Sequence, residues 1–362
     1  MKRILLTGTA LASGMLFASV AQAQITVSLG GYTEFFAGFY DDDGVNRTTR
    51  EFELETEIVV RADGKANNGL LYGAKVELQN STGGSSASSV GTDEASLYLG
   101  GTWGRIELGD FDGAADTLKI YAPLVGIEQI DGDYGDFAGS QPAFGIHIPN
   151  SGDATKVMYL TPRFAGFQAG VSYTPESESQ AQNVVAIKNS NNYKDWIDGG
   201  INYTGEFSGF SVALGATVSS ASGQNGAVPL EDFTAWNVGA QVGFGGFLVG
   251  GGYVDADDFN TPTTGSIGGD QSVWHAGISY TAGPFAVGAS YMDAEGYKGA
   301  AGDYNSDYKA YGVGAAYTLA PGLVVQTEVM FFDEDVVSGT PGATTTTNND
   351  GYVFIIGTRL DF

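Results

Sequence analysis

The feature that most constrains this chain is an alternation of apolar and polar residues that begins at Gln24 and continues to the carboxyl terminus. In the segment 25–39 the odd positions are mainly apolar, whereas the even positions include Thr26, Ser28 and Glu34. A period of two places successive side chains on opposite faces of a β-strand. The pattern recurs sixteen times, so the sequence predicts an all-β chain whose strands each have one apolar and one polar face.

The connectors between these predicted strands alternate strictly in length. Seven are short turns and eight are longer polar loops, the last of them expected at Asp333–Gly351. This order predicts an up-and-down meander with every long loop at one end. Because lipid cannot satisfy the backbone groups of a sheet edge, a sheet that spans a bilayer must close on itself. We therefore expect a 16-stranded antiparallel transmembrane β-barrel with an aqueous lumen.

The composition suits a protein with one face towards lipid. The chain of 362 residues has 19 Tyr, 21 Phe and only 16% charged residues, and acidic soluble chains are usually poor in aromatic residues. Aromatic side chains concentrate at membrane–water interfaces. Eight tyrosines near predicted strand ends are expected to form such aromatic girdles: Tyr40, Tyr72, Tyr173, Tyr203, Tyr253, Tyr280, Tyr291 and Tyr317.

Charge and cysteine content exclude several classes of function. The formal net charge is −26, which excludes nucleic acid as a partner because phosphate binding requires Lys and Arg. The chain has no Cys, so disulfides and thiolate metal sites are also excluded.

The amino terminus reads as an export signal. Two basic residues, Lys2 and Arg3, precede an apolar stretch over 4–20 and an A-x-A motif at 21–23. This arrangement predicts a signal peptide over 1–23, cleaved between Ala23 and Gln24, and a single barrel domain over 24–362. A membrane anchor is the alternative, but the apolar run is short and interrupted by Gly and Ser.

The longest predicted connector, 110–156, is the strongest candidate for a functional element. Loops of this length within a compact pattern are usually functional or disordered, and its apolar residues argue against disorder. We expect this third long loop to fold into the lumen, seated by those residues, and to constrict the pore with its acids. The candidate constriction acids are Asp112, Asp116, Glu128, Asp131, Asp133 and Asp136.

The predicted lumen wall facing this loop mixes acids with a few bases. The wall candidates are Glu53, Glu55, Glu57, Arg61, Lys75, Glu77 and Arg105, and Lys75 is the base nearest mid-height. Since rings of acid select for cations, this composition predicts a cation preference. The two histidines, His147 in the loop and His275 on an inward position, lack the spacing of a zinc site.

Three short motifs resemble those of a known family. The final strand, ending at Phe362, resembles the carboxy-terminal strand that outer-membrane barrels present to their assembly machinery. The segment 103–110, running into Gly113, is similar to the fifth strand and third-loop entrance of Gram-negative general diffusion porins of the alphaproteobacterial type. The segment 163–167 resembles the turn after their sixth strand.

This resemblance implies a homotrimer in the bacterial outer membrane, in contact with lipid and lipopolysaccharide, whose third loop forms an eyelet. It also implies that calcium can bind third-loop carboxylates, and the candidates are Asp110, Asp112, Asp131 and Asp133. No other cofactor and no enzymatic activity are expected. The predicted function is a general diffusion channel for small hydrophilic solutes and ions.

Three alternatives remain open from the sequence. A sugar-specific channel of the same fold is possible because Tyr32, Phe36 and Tyr98 are predicted to face the lumen. A secreted calcium-binding β-roll would need a nonapeptide repeat, which is absent. A barrel hydrolase would need a Ser-His-Asp arrangement, and two histidines make that a poor candidate.

Overall fold

A computed structural model of the chain describes residues 25–44, 47–80, 90–138, 145–177, 179–184, 192–264, 269–297, 306–340 and 343–362. The predicted signal peptide, with its cleavage site between Ala23 and Gln24, lies outside these residues. Among the helices described, none is both long and apolar enough to cross a membrane.

Sixteen strands account for most of the described residues. The strands are β1 (Thr26–Asp42), β2 (Arg50–Lys65), β3 (Leu71–Asn80), β4 (Val90–Gly101), β5 (Gly104–Asp110), β6 (Thr155–Leu160), β7 (Phe167–Glu176), β8 (Tyr193–Phe207), β9 (Phe210–Gly223), β10 (Phe233–Phe244), β11 (Phe247–Asp257), β12 (Gln271–Ala282), β13 (Phe285–Tyr297), β14 (Ser306–Ala320), β15 (Leu323–Thr340) and β16 (Ala343–Asp361). Between β5 and β6 lie two short helices, α1 (Ala114–Leu118) and α2 (Tyr134–Ala138), and a 3₁₀ turn at Gln129–Asp131.

The strands form one closed antiparallel barrel, which confirms the predicted fold class. Each strand pairs with its neighbours in sequence, and β1 pairs with β16 to close the sheet. The closing register runs from Tyr32 opposite Asp361 to Asp42 opposite Gly351. Closure pairs every strand on both sides, so no open sheet edge is left for lipid to satisfy.

The connectors follow the predicted alternation except at the last one. The prediction of a long loop at Asp333–Gly351 is wrong, because β15 continues to Thr340 and β16 already begins at Ala343. The two strands stay paired out to Thr340 opposite Ala343. The polar sequence there resembles a loop, but its valines and threonines are β-branched and favour extended strands.

The outer wall carries the predicted apolar face. On β1, Phe35 and Phe39 are exposed while Phe36 is buried, as the odd–even phase requires. Contacting aromatic rings mark two levels of the outer wall. Near the short turns the pairs are Phe210–Phe244, Phe247–Tyr280 and Phe285–Tyr317, and near the long loops they are Trp236–Tyr253, Trp274–Tyr291 and Tyr311–Phe331.

One predicted girdle tyrosine is misplaced. Tyr40 occupies an even position of β1, so it points inward, where it is 8% exposed. Its ring packs on that of Phe137 at a centroid distance of 6.0 Å. The expectation that Tyr40 belongs to a girdle is therefore wrong, because its strand phase places it inside the barrel.

The packed core lies inside the barrel, between the 111–154 segment and the inner wall. Buried side chains of the segment, such as Ile127, Ile130 and Phe137, join inward side chains of the strands, such as Met292 and Met330. Burying one such side chain stabilises the fold by roughly 1.5–3 kcal/mol. The apolar residues of the segment therefore pack against strand residues in one cluster.

A belt of inward-facing glycines makes room for this segment. Two of them, Gly215 and Gly239, lie opposite each other in register, as do Gly288 and Gly314. A Cβ atom on Gly239 would lie 1.7 Å from the carbonyl oxygen of Ile120. The glycine belt comprises Gly170, Gly215, Gly239, Gly277, Gly288 and Gly314.

We predict that Gly239→Leu destabilises the protein by about 1–3 kcal/mol, the usual cost of overpacking, and exposes the segment to protease. Thermal unfolding followed by circular dichroism, together with limited proteolysis, measures both effects. Gly91→Leu is the matched control, since no heavy atom lies within 4 Å of a Cβ built there. Equal stability of the two variants would contradict the seating of the segment on the belt.

Candidate pore constriction

The helices and the 3₁₀ turn of the 111–154 segment, all within the described residues 111–138, pack on the strands of the barrel. Helix α1 packs on β7, β8 and β9, the 3₁₀ turn packs on β13, β14 and β15, and α2 packs on β1 and β16. Between them, residues 120–125 lie over the glycine belt. The segment thus follows the inside of the barrel from its own root to the closing seam.

Buried polar side chains of the wall clamp the segment's backbone. Asp198 accepts a hydrogen bond from the Ala115 amide at 2.7 Å. One oxygen of Glu328 accepts hydrogen bonds from the amides of Ile127 and Gln129, each at 3.0 Å. A buried backbone N–H group costs free energy when it lacks an acceptor, so these carboxyl oxygens stabilise the backbone of the segment where it lies. These two acids therefore fix the start and the tip of the segment.

Other clamps lie at the middle and far end of the segment. The ring nitrogen Nδ1 of His275 accepts a hydrogen bond from the Ala122 amide at 3.3 Å. Arg47 donates to the carbonyl oxygens of Phe137, at 2.6 Å, and Ala138. For Asp198, His275 and Glu328 the sequence offered a weak signal, namely polar side chains at inward strand positions, but it gave no indication of their partners.

The tip of the segment has an unusual backbone. Glu128 and Gln129 have φ angles of 61° and 49°, in the left-handed region that non-glycine residues seldom adopt. The two amides held by Glu328 flank Glu128, so the clamp stabilises this conformation. The Glu128 side chain lines two adjoining lumen cavities.

The smaller cavity, of about 280 Å³, is the acidic cavity. Its four carboxylates come from both sides of the lumen: Glu34 and Glu55 from the wall, and Glu128 and Asp133 from the segment. Arg359 is its one basic lining residue. Arg359 pairs with Glu34 at 3.1 Å and lies 3.8 Å from the Tyr32 ring centroid. The cavity therefore retains an excess of acid.

The bases predicted for the wall are themselves paired with acids. Lys75 pairs with Glu77 at 3.0 Å and with Glu94. Arg105 pairs with Glu107 at 2.8 Å. The third predicted base, Arg61, is exposed and lies two residues before Asp63, where the pairing of β2 with β1 ends near the turn. The remaining predicted wall acids, Glu53, Glu55 and Glu57, follow one another on the same face of β2.

The predicted segment acids divide into separate groups. Asp116 pairs with Lys119, and Asp112 lies near Asp116 and Asp153. At the other end, Asp131 pairs with His147 at 2.6 Å. Asp136 and Asp133 both lie near Glu53 of the wall.

The four candidate calcium ligands are not brought into one site. Asp110 is the last residue of β5, and its oxygens accept hydrogen bonds from the Thr155 hydroxyl and the Ala181 amide, both at 2.6 Å. It therefore anchors the root of the segment rather than facing the lumen. In the part of the chain that the structure describes, one group of three acids has ligand atoms within 4.8 Å of one another, and it is Glu57, Glu77 and Asp93.

Burial and neighbouring acids raise the pKa values of the segment's carboxyls. Burial, followed by the charges of Glu53, Glu34 and Glu55, raises the pKa of Asp133 to about 8. Burial and then Asp131 raise the pKa of Glu128, and burial and then Asp116 raise that of Asp112. Like charges that share a site disfavour ionisation in this way.

A closed barrel with an apolar exterior, two aromatic levels and an acid-lined interior defines a transmembrane β-barrel of the porin class. A family model described as Gram-negative porin matches residues 8–336. The chain belongs to this family.

Solved structures support the same fold. A variant of the Rh. blastica porin aligns with a TM-score of 0.60 at 20% identity and covers 93% of this chain and 100% of its own. An anion-selective porin from Comamonas acidovorans aligns with a TM-score of 0.63 at 17% identity, covering 94% of this chain and 100% of its own. At these identities the likeness concerns the fold alone.

Curated relatives include uncharacterised proteins of two Rickettsia species. The protein from Rickettsia prowazekii is 26% identical over 204 residues, which is 48% of this chain and 45% of the relative. The protein from Rickettsia bellii is 26% identical over 243 residues, which is 55% of this chain and 53% of the relative. The chain thus spans about half the length of the curated relatives it matches.

We predict that the preference for K⁺ over Cl⁻ increases as the pH rises from about 6 to about 9. Asp133 is neutral below its pKa of about 8 and negatively charged above it, so the passage gains negative charge at high pH. Reversal potentials across a KCl gradient measure the change. Asp133→Asn should reduce this pH-dependent increase in K⁺ preference, and Asp195→Asn, at an exposed acid, should leave the increase unchanged. An undiminished increase in Asp133→Asn would contradict the role of Asp133 in the passage.

Proposed function

We propose that this protein is a general diffusion porin of the outer membrane that forms a water-filled, cation-preferring channel for small hydrophilic solutes and ions. The observation that carries the proposal is the acidic cavity, in which four carboxyl groups face a single arginine. Low-dielectric walls focus the field of such a passage, and acid-lined constrictions favour cations.

The constriction is formed by the 111–154 segment in this proposal. Glu128 and Asp133 contribute acid from the segment, and Glu34 and Glu55 contribute it from the wall. The bases that could offset this field, Arg359 and Lys75, each contact two acids. A permeating cation therefore meets more unpaired acid than base on both sides of the passage.

A general channel is favoured over a sugar-specific one by the placement of three lumen aromatics. The ring of Tyr32 faces the guanidinium of Arg359, and the ring of Tyr98 faces that of Arg105 at 3.9 Å. Phe36 is 1% exposed and belongs to the core beneath the segment. These rings do not provide the open aromatic surface that a sugar pathway requires, and the histidines have structural roles rather than the geometry of a hydrolase.

The outer wall supports a homotrimer with an interface on β1–β5. The exposed aliphatic side chains that β1 and β4 present near the turns are the apolar surface that a second copy would cover. The aliphatic residues are Val27, Leu29, Leu97 and Leu99.

The carboxyl terminus supports assembly of the closed barrel. The amide of Phe362 donates to the Gly31 carbonyl at 3.0 Å, and the Gly31 amide donates to the Phe362 carbonyl at 3.1 Å. Phe362 thus lies at the closing seam, and we propose that the strand it belongs to is recognised by the barrel assembly machinery. Export before assembly would depend on the proposed signal peptide.

We predict that Arg359→Gln raises the permeability ratio of K⁺ over Cl⁻ severalfold, because it removes the one base of the acidic cavity. Zero-current potentials in planar bilayers under a KCl gradient measure the ratio. Arg163→Gln is the matched control, since Arg163 lies in the exposed β6–β7 turn and donates to Gly166 and Gln168. Anion preference in the unaltered protein would overturn the proposed selectivity.

A further inference from the structure

We propose that the larger lumen cavity binds small organic ammonium ions that carry a hydrocarbon group. This inference rests on the proposed function, because it names a class of solute for the same passage. The cavity, which we term the amphipathic cavity, has a volume of about 470 Å³ and adjoins the acidic cavity through Gly126 and Glu128. Such a volume is within the usual range of small-molecule sites.

The cavity has one apolar side. Residues 121–126 of the segment, including Pro123, Leu124 and Val125, supply it. The strands opposite supply Gln241, Ser279 and Thr281. The apolar side would not contribute to the binding free energy of an inorganic ion. It would contribute to that of a hydrocarbon group, because apolar surface would be removed from water there.

The charged lining is entirely acidic. Glu128 and Asp131 are the charged residues of the cavity, and no Lys or Arg lines it. In the part of the chain that the structure describes, the Glu128 side chain makes no hydrogen bond or ion pair, and it lines the cavity, so it is available to a solute. Asp131 uses Oδ2 for His147. An ammonium group placed here donates to a carboxylate, which is a charge-assisted hydrogen bond.

The surroundings hold both recognition elements in place. Gln241 donates to the Tyr121 carbonyl at 2.7 Å, and the Tyr121 ring meets the His147 ring edge-on at 5.5 Å. The Glu328 clamp fixes the backbone on either side of Glu128. The nearest base on this part of the segment, Lys119, is paired with Asp116. Because the site is preorganised, ordering its side chains when a solute binds costs little free energy.

The lining of the amphipathic cavity should distinguish three probes of similar shape by their charge. 2-Phenylethylammonium satisfies both the carboxylate and the apolar side. 2-Phenylethanol satisfies the apolar side alone. 3-Phenylpropionate presents a negative charge to Glu128 and Asp131, which repel it.

The experiment uses the full-length protein in a planar bilayer and adds each probe during KCl conduction. We expect 2-phenylethylammonium to cause transient current blocks, and the other two probes to cause none of comparable duration. Glu128→Gln and Leu124→Ser should each shorten the blocks about tenfold. Asp195→Asn, which removes an exposed acid hydrogen-bonded to the outward Tyr173, should leave them unchanged.

Saturation-transfer NMR on the detergent-solubilised protein measures binding of the same probes without any current. Binding of 2-phenylethylammonium that Glu128→Gln weakens would support the site even if KCl conduction failed, and that failure would overturn only the channel function. Normal conduction with no block and no binding would overturn the site. Equal binding of all three probes, or binding unaffected by Glu128→Gln, would also overturn it.

Discussion

The contact between the 111–154 segment and the glycine belt is the constraint on which the site depends. A strand position that lacks a Cβ lets backbone approach backbone, and Gly239 and Gly314 are approached in this way by the carbonyl oxygens of Ile120 and Val125. Because the segment lies flat along β9–β14, its turn at Glu128 reaches the far wall, where β15, β16 and β1 supply Glu328, Arg359 and Glu34. Packing on one side of the barrel thus positions charge on the other.

Charge within the lumen serves two separate purposes. Buried acids such as Asp198 and Glu328 accept backbone amides and hold the segment, so they are structural. Partly exposed acids such as Glu55 and Glu128 line the passage. The bases are distributed among the acids as local pairs instead of forming one positive surface. This arrangement is the basis of the cation preference that we propose, and it differs from a strongly divided, transverse field.

The sequence was sufficient for the barrel and for the position of its longest connector, because strand phase and connector length are local properties. Strand phase also placed Glu55 and Lys75 on the inner face. Strand phase could not reveal that Arg359, near the other end of the barrel sequence, forms an ion pair with Glu34 across the closing seam. Nor could it show that Asp110 anchors the root of the segment, since that role depends on Ala181 from another loop. Contacts distant in sequence depend on barrel closure, which no local pattern encodes.

The most direct test of the account is to fix the segment on the belt and measure conduction. The chain has no Cys, so Val125→Cys combined with Gly288→Cys introduces a single possible disulfide, and a Cβ at Gly288 would lie 3.1 Å from that of Val125. The account predicts that the crosslink forms readily and that single-channel conductance and ion preference are the same before and after reduction. Failure to crosslink, or a change in either quantity on reduction, would contradict it.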